Sequence, residues 1–321
     1  MLVAGGTGLI GIPLVELLVE EGAEVLIVSL DDPSRAHPRA EFRRVNLLDF
    51  RNCMDSCRGM GYVFNLLCVK GSPAVTATKP ASFFVPHLTF NTNLMEAARQ
   101  SGAQGFLFTS SLAVYGPAAV FCEDDVWRTF PSENDKFAGW AKRMGELQAE
   151  AYRIEYGWGD VSVVRPANVY GSYDNFGLEN AMVIPSLIRR AVSGENPLCV
   201  WGNGSQVRDF IHARDVARGM LLVAKSNERR PVNLGSGVGV SIRELVAVIV
   251  GNLGRTTEVI WDTSKASGDT QRVLDTSRAR DIGFRPSISL EEGIRETMEW
   301  FKENRNEGHN RYDVFASGRR M

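Results

Sequence analysis

Three glycines near the start of the chain have the spacing of a loop that can hold phosphate groups. In "AGGTGLIG", Gly5, Gly8 and Gly11 stand between a short apolar run and an amphipathic helical pattern. The first glycine permits a tight turn, the second lets a pyrophosphate approach the backbone, and the third lets the helix pack closely on the strand. The positive end of the helix then faces the anion. We therefore expect a dinucleotide here, with Leu9 and Ile10 also in contact with it.

The end of the second predicted strand bears on which dinucleotide the site takes. An acid at this place would hold the adenosine ribose, and the position is occupied by Ser29 in "LIVSLDDPSR". Asp31 could still take the ribose 2′-hydroxyl of NAD, whereas Ser29 with the nearby Arg35 could accept the 2′-phosphate of NADP. Asp49, in "NLLDF", is placed either to meet the adenine amine or to cap a helix. The sequence leaves the choice between NAD and NADP open.

Apolar runs alternate with amphipathic helical patterns through the first half of the chain. Runs such as "EVLIV", "YVFNLL" and "VSVVRP" are separated by helical patterns such as "PLVELLVEEG". Continuous apolar strands between helices are typical of a parallel sheet covered on both faces. The sequence predicts an α/β fold of the Rossmann type, a doubly wound parallel sheet with a smaller C-terminal substrate lobe.

The pattern loosens after about residue 165, where turn-forming residues become frequent. We expect residues 1–164 to form the dinucleotide-binding domain, with residues 205–238 returning to it. Residues 165–204 and 239–321 would then form the substrate lobe over the carboxyl edge of the sheet. The charged tail from about Gly308 predicts a poorly ordered end.

The bulk composition disfavours several classes of protein. The 321 residues are 44% hydrophobic and 23% charged, and the net charge of −2 gives no pull toward nucleic acid or a membrane surface. No apolar run reaches the roughly 18 residues of a membrane helix, and the first residues lack the pattern of a signal peptide. Five scattered cysteines predict reduced thiols in a cytoplasm. The isolated cysteines and histidines do not have the spacing of a metal site.

Six motifs stand in the order in which one known family has them: "GGTGLIG", "FTSSLAVYG", "GWAKRMGE", "RPANVYG", "RDFIHARDVARG" and "NLGSG". Together they make the chain resemble the extended short-chain dehydrogenase/reductases, the NAD-dependent nucleotide-sugar epimerases, dehydratases and reductases. The resemblance covers nearly the whole chain. It implies NAD or NADP as cofactor, a nucleoside-diphosphate sugar as substrate, and a homodimer formed through the helix of Lys142 and the helix near residues 91–101.

The resemblance implies a catalytic group made of a tyrosine, a lysine and a hydroxyl. The lysine is Lys142, which would also reach the cofactor, and the hydroxyl is Ser111, with Ser110 as the alternative. The tyrosine needs a neighbouring cation to ionise near neutrality, because its ordinary pKa is about 10. Its position, one helical turn before the lysine, is occupied by Ala138. Alanine has no proton to give, so we expect a weakly active or substrate-trapping form. Either an active enzyme was altered at this one position, or the chain is a natural non-catalytic descendant of such an enzyme.

Within the family, the loop after the fourth strand and the run "VWGNGSQVRDFIH" are most similar to the GDP-fucose synthases. Those enzymes use a cysteine and a histidine to epimerise sugar C3 and C5, and the corresponding residues here are Ala113 and Met182. Neither can move a proton, so the likeness implies redox chemistry, most simply at sugar C4. It also favours a GDP-sugar. Leu67, at the end of the fourth strand, would contact the cofactor.

The substrate lobe needs cations for a diphosphate and an aromatic surface for the nucleoside. The resemblance places Arg208, Arg190 and Arg272 at phosphate or ribose contacts. Trp201 would lie near the ribose and base, and Asn168 would present its amide near the pyrophosphate.

Three functions are compatible with these residues. A C4 epimerase, favoured by "SSLAVYG", would keep NAD tightly bound, whereas an NADP-dependent GDP-4-keto-6-deoxy-sugar reductase would exchange its cofactor with solvent. A non-catalytic protein that senses NAD(P)H would have Ala138 as its working residue. A 4,6-dehydratase is not favoured, because Leu112 and Ala113 stand where such an enzyme carries an acidic pair.

Overall fold

The computed structural model describes residues 1–69, 73–177, 181–226, 228–264, 269–305 and 312. Its strands are β1 (Leu2–Ala4), β2 (Leu26–Ser29), β3 (Glu41–Arg44), β4 (Tyr62–Asn65), β5 (Gly105–Thr109), β6 (Asp160–Pro166), β7 (Asn168–Tyr170), β8 (Leu198–Trp201), β9 (Val207–His212), β10 (Val232–Leu234), β11 (Gly239–Ser241), β12 (Val259–Asp262) and β13 (Gln271–Arg272). Its α-helices are α1 (Gly11–Glu20), α2 (Phe50–Cys57), α3 (Pro73–Thr78), α4 (Pro80–Gln100), α5 (Lys136–Tyr156), α6 (Val183–Val192), α7 (Ala213–Lys225), α8 (Ile242–Gly251), α9 (Ser277–Asp281) and α10 (Leu290–Glu303).

Seven parallel strands of the described residues form one sheet in the order β10-β6-β5-β4-β1-β2-β3. The chain runs outward in one direction from β1 to β3 and in the other from β4 to β6, so the strand order reverses between β1 and β4. In open parallel sheets, ligands bind in the crevice outside the carboxyl ends of the strands at such a reversal. The prediction of a doubly wound α/β fold is confirmed.

Both faces of this sheet are buried, as its continuous apolar strands require. Helices α1 and α7 pack against each other on one face, over a core that includes Val3, Ile27 and Leu107. Helices α2, α4 and α5 cover the other face, over a core that includes Leu26 and Phe106. Neighbouring residues of one strand therefore enter different cores, because successive side chains point to opposite faces.

The substrate lobe has its own small sheets and core. Strand β9 pairs with β7, β11 and β13, and β8 pairs with β12. Helices α6, α8 and α10 enclose an apolar cluster that includes Leu187, Leu245 and Met298. Residues 205–238, which we expected to return to the dinucleotide domain, are shared: α7 and β10 join the large sheet's layers, whereas β9 belongs to the lobe. The tail from Gly308 lies, apart from Tyr312, outside the described residues.

No helix in the described part of the chain is long and apolar enough to cross a membrane.

Candidate active site

A cavity of about 720 Å³ opens at the carboxyl ends of β1 and β4, where the strand order reverses. Most of the residues that the sequence predicted for the site line it. These are Gly5, Gly8, Leu9, Ile10, Gly11, Ser29, Asp31, Leu67, Ser111, Ala138, Lys142, Asn168 and Arg272. The fold therefore brings the predicted phosphate loop, the predicted catalytic positions and part of the substrate lobe around one space.

The glycine loop has the geometry of a phosphate cradle. Gly5 adopts a positive φ of 84°, and Gly8 N donates to Gly5 O at 3.0 Å, which closes the turn. A Cβ on Gly11 would lie 2.3 Å from Gly5 O, so only glycine allows α1 to begin this close to the loop. The first turn of α1 has no side-chain cap, and its N-terminus faces the cavity. These features fit a dinucleotide pyrophosphate, which would bond to the loop and helix N–H groups.

The corner at the end of β2 presents a carboxylate to the cavity. Thr7 Oγ1 lies 2.6 Å from Ser29 Oγ and 2.7 Å from Asp31 Oδ2, and Asp31 N donates to Ser29 Oγ at 3.1 Å. Arg35 does not line the cavity; its buried guanidinium donates to the carbonyls of Thr7 at 3.3 Å and Tyr173 at 3.5 Å. The acid and the arginine that the sequence left as alternatives thus both bond to Thr7, and of the two the acid lines the cavity.

Lys142 is buried beneath the cavity and held by carbonyl groups. Its Nζ donates to Thr109 O at 2.8 Å and lies 3.5 Å from Leu67 O. Burial lowers the pKa of Lys142, whereas the interactions with Cys68 and Glu146 oppose that effect. The ammonium therefore joins the ends of β4 and β5, where it can influence any titrating group in the cavity.

The two serines at the end of β5 have different partners. Ser110 is buried, and its Oγ donates to Glu146 Oε1 at 2.5 Å. Ser111 Oγ accepts from Ala113 N at 3.2 Å and keeps its own proton available on the cavity side. This arrangement favours Ser111 over Ser110 as the hydroxyl that would orient a substrate oxygen.

Helix α5 carries Ala138 and Lys142 on one face, with Ala138 at the cavity wall. Gly145 lets this helix approach β5, because a Cβ there would lie 2.3 Å from the Phe108 ring. The Lys142 ammonium lies 5.2 Å from the centre of the same ring. Close packing thus fixes the height of the helix over the sheet and, with it, the place where a side chain at position 138 meets the cavity.

Besides Arg35 and Arg208, three of the predicted contacts lie outside the cavity lining. Asp49 caps α2 by accepting from Arg51 N at 2.8 Å, which is the helix-cap alternative for this residue. Arg190 forms a two-bond ion pair with Glu195. Trp201, at the end of β8, is 64% exposed.

The arginines Arg208 and Arg272 are register partners on β9 and β13. Arg272 lines the cavity and is paired with Asp135 and Asp269. Arg208 is not in the lining; it bonds to its neighbour's carbonyl, and burial together with Arg272 lowers its pKa. Among the described residues, no carboxylate forms an ion pair with Arg208. The Arg208 guanidinium therefore keeps donors for an anion, although Asp135 and Asp269 lie close enough to raise its pKa.

The sequence analysis missed two cavity residues, Cys68 and His87, which it treated as isolated. They come together in the fold, with His87 Nε2 3.5 Å from Cys68 Sγ. The position of Cys68, directly after Leu67, was the available signal. Nothing in the spacing pointed to His87, because it enters from the middle of α4.

The chain matches the model of the NAD dependent epimerase/dehydratase family over residues 1–235. The chain belongs to this family. It is 31% identical over 311 residues to a putative GDP-L-fucose synthase 2 of Arabidopsis thaliana, covering 94% of this chain and 91% of the relative. It is 30% identical to the GDP-L-fucose synthase of Escherichia coli, covering 95% of this chain and 97% of the relative.

Solved structures of the family have the same fold. The UDP-glucose 4-epimerase of Thermotoga maritima, solved with UDP-glucose, superposes with a TM-score of 0.85 at 28% identity, covering 95% of this chain and 99% of that one. The UDP-glucose 4-epimerase of Thermus thermophilus, solved with NAD, gives 0.82 at 25% identity, covering 94% and 99%. The resemblance drawn from the motifs is confirmed, and with it the cofactor class, NAD or NADP. This epimerase/dehydratase family acts on nucleotide sugars.

Proposed function

We propose that this chain is an NAD-dependent nucleotide-sugar epimerase that works by reversible oxidation at sugar C4. The observation that carries the proposal is the single cavity that joins the phosphate loop, the Ser111 hydroxyl and the Lys142 ammonium. The loop of Gly5, Gly8 and Gly11 would hold the dinucleotide, which would supply the hydride acceptor and donor when bound. Ser111 orients the sugar oxygen. The Lys142 ammonium favours the ionised form of whichever side chain accepts the proton of the sugar hydroxyl.

Ala138 leaves the usual proton-transfer position without a titrating group. Tyr115 and Tyr170 do not replace it, because burial raises the pKa of each hydroxyl above its ordinary value. The Tyr115 hydroxyl also donates to Asn233 at 2.6 Å, within the core. We therefore propose that turnover is slower than a tyrosine at position 138 would allow.

The substrate class is a nucleoside-diphosphate sugar, with a GDP-sugar favoured. The names of the relatives support guanine, and the Arg208–Arg272 pair supports a diphosphate. Ala113 and Met182 line the cavity and cannot move protons, which argues against epimerisation at C3 and C5. Asn168 lies in the same wall and would meet the pyrophosphate, with Arg190 and Trp201 as outer contacts.

An alternative within the family is an NADP-dependent GDP-4-keto-6-deoxy-sugar reductase. It is supported by the likeness to a dTDP-4-dehydro-6-deoxy-D-allose reductase of Streptomyces, 30% identical over 315 residues and covering 94% of this chain and 96% of the relative. Cofactor that stays with the chain through purification supports the epimerase, and cofactor that exchanges freely supports the reductase.

The deciding experiment is turnover of GDP-, UDP- and dTDP-hexoses and their 4-keto forms, each with NAD and with NADPH, together with thermal shift. Conversion of a hexose to its C4 epimer supports the proposal, and consumption of NADPH by a 4-keto sugar supports the reductase. A chain that is stabilised by NAD(P)H but by no sugar nucleotide would instead be a sensor, because a ligand stabilises only a state that binds it.

We predict that NAD binds more tightly than NADP, by about tenfold, because the Asp31 carboxylate faces the cavity and would repel a 2′-phosphate. Asp31→Asn should remove most of this preference, since the amide carries no charge. Asp32→Asn is the matched control, because Asp32 caps Ser34 and is not part of the lining. Calorimetric Kd values for both cofactors measure the effect. An unchanged ratio in Asp31→Asn would show that the ribose is held elsewhere.

We further propose a homodimer formed through α4 and α5. The two helices pack side by side, and Gln148 donates to Thr92 O at 3.1 Å. The outer face of α5 carries an exposed apolar stripe, and Val85 of α4 is 54% exposed. The stripe consists of Phe137, Met144, Leu147 and Ile154. Its spacing follows one face of a helix, as in helix-bundle interfaces.

Leu147→Glu is expected to convert the dimer to a monomer, because it places a charge in the centre of the proposed interface. Sedimentation velocity at micromolar concentration measures the change. Val238→Glu is the control, since Val238 is 60% exposed and lies outside these helices. If wild type sediments as a monomer, or if both variants remain dimeric, the interface is not on α5.

A further inference from the structure

Cys68 and His87 form a pair inside the cavity that the proposed function does not use. Cys68 follows β4 at the strand-order reversal and exposes its side chain, whereas His87 is 1% exposed on α4. Both line the same cavity as Ser111 and Lys142. A thiol and an imidazole at a catalytic cavity are groups able to transfer protons at neutral pH.

The hydrogen bonds of His87 fix its tautomer. Nδ1 lies 2.8 Å from Phe83 O, and a carbonyl can only accept, so Nδ1 carries the proton. Nε2 is then the basic nitrogen; it accepts from Val69 N at 3.2 Å and lies 3.5 Å from Cys68 Sγ. The ring is also packed between aromatic rings, with centroids 4.5 Å from Phe83 and 5.3 Å from Phe90. The imidazole is therefore held in one orientation, in which Nε2 accepts from the Val69 N–H with the thiol beside it. The thiol itself donates to Val69 O at 3.5 Å.

A positive charge also lies near the thiol. Lys142 Nζ is 3.5 Å from the carbonyl of Leu67, the residue before Cys68, and interacts electrostatically with the thiol. A base and a cation beside one thiol are the two features that activate cysteines in proteins. Lys142 is also the residue that would serve a tyrosine at position 138.

We propose that Cys68, with His87 as its base, is the proton-transfer residue of this site and takes over from the tyrosine that Ala138 replaces. The inference rests on the proposed function, because it assigns a residue to that reaction. Cys68 is the catalytic residue of the pair, since its sulfur faces the cavity. His87 is a positioning residue that acts through it.

The step balances without a further reactant. In the oxidation, the sugar C–H bond gives hydride to the oxidised cofactor, and the sugar O–H bond gives its proton to the Cys68 thiolate. An S–H bond forms as the O–H bond breaks, and the alcohol carbon becomes a carbonyl. In the return step, the thiol protonates the oxygen as hydride comes back to carbon, which regenerates the thiolate.

The first test measures the thiol itself and needs no turnover. Cys68 of wild type should react with iodoacetamide at pH 7 about tenfold faster than Cys122 or Cys199, which are free and partly exposed. His87→Gln should remove most of this advantage, and saturating NAD should protect Cys68. Among the described residues, His87 on α4 lies 3.5 Å from the sulfur and Lys142 on α5 interacts with it electrostatically, while Glu146 acts on Lys142. Labelling of wild-type Cys68 no faster than that of the other thiols would overturn the proposal.

The second test is a double-mutant comparison of turnover. Cys68→Ala should lower kcat about 10²-fold in the Ala138 background and less than about threefold in the Ala138→Tyr background, since the tyrosine then transfers the proton. The pH dependence of kcat should also differ between wild type and Ala138→Tyr. Cys199→Ala is the control, and Kd values for NAD and the sugar nucleotide confirm intact binding.

Equal losses in both backgrounds would mean that Cys68 is structural, and no loss in either would mean that it is a spectator; each overturns the inference. If Ala138→Tyr converts a sugar and wild type does not, the proposed function stands and the role of Cys68 falls. If no form converts or binds a sugar nucleotide, the proposed function is wrong and the catalytic role of Cys68 falls with it. Fast labelling that depends on His87 would then still establish an activated thiol.

Discussion

With tyrosine in place of Ala138, kcat for the converted nucleotide sugar is expected to rise by about 10²-fold. Position 138 lies at the cavity wall, one helical turn from Lys142 on the same face of α5. A hydroxyl there would gain the ammonium as the cation that favours tyrosinate. Steady-state rates of both forms on the same sugar nucleotide, at saturating cofactor, measure the gain.

Ala138→Phe separates the hydroxyl from the ring. It fills the same space without a proton to transfer, so its kcat should stay at or below the wild-type value. A similar gain in both variants would mean that the ring orders the substrate. No gain in Ala138→Tyr, with binding intact, would show that a tyrosine at this turn of α5 takes no part in the proton transfer.

The largest expected loss of stability follows from replacing Glu146. Its carboxylate is 4% exposed and bonds to Arg165 through both oxygens, at 2.9 and 2.7 Å, while Arg165 is 1% exposed. Removing one partner leaves a buried guanidinium uncompensated, so Glu146→Gln should lower the free energy of unfolding by about 3 kcal/mol. It also weakens the bond that fixes Ser110 next to Ser111. Urea unfolding followed by circular dichroism measures the difference.

Glu41→Gln provides the matched control, because Glu41 forms an exposed pair with Arg43 at 2.7 Å. Exposed pairs contribute less than about 1 kcal/mol, so this variant should unfold close to wild type. Equal effects of the two substitutions would show that Arg165 is solvated or finds another partner when Glu146 is lost.

The fold class and the centre of the site could be read from local patterns. The glycine spacing with its flanking strand and helix predicts the phosphate loop, because turn geometry and close approach depend on neighbouring residues only. Lys142 and Ala138 share a helical face by the same kind of local rule. Gly11, Ser111 and Asp31 accordingly lie at one cavity.

The hydrogen-bond and ion-pair partners of the arginine side chains could not be predicted from local sequence patterns. Arg35 turns toward the carbonyls of Thr7 and Tyr173, far apart in the chain, and Arg190 is paired with Glu195. The sequence shows that a guanidinium is present, but which acceptor it reaches depends on elements brought together by packing. Glu146, a residue on α5, likewise bonds to Ser110 rather than to Ser111, and no local pattern predicts that partner.

The sequence by itself determined the sheet, the phosphate loop and the absence of a tyrosine at position 138, since each depends on residue types at fixed local spacing. Only the tertiary structure decided that Cys68 and His87 meet beside Lys142. The thiol follows β4, the imidazole lies in the middle of α4, and the ammonium comes from α5. These side chains converge because the helices pack over the carboxyl ends of parallel strands, and no local spacing encodes that convergence.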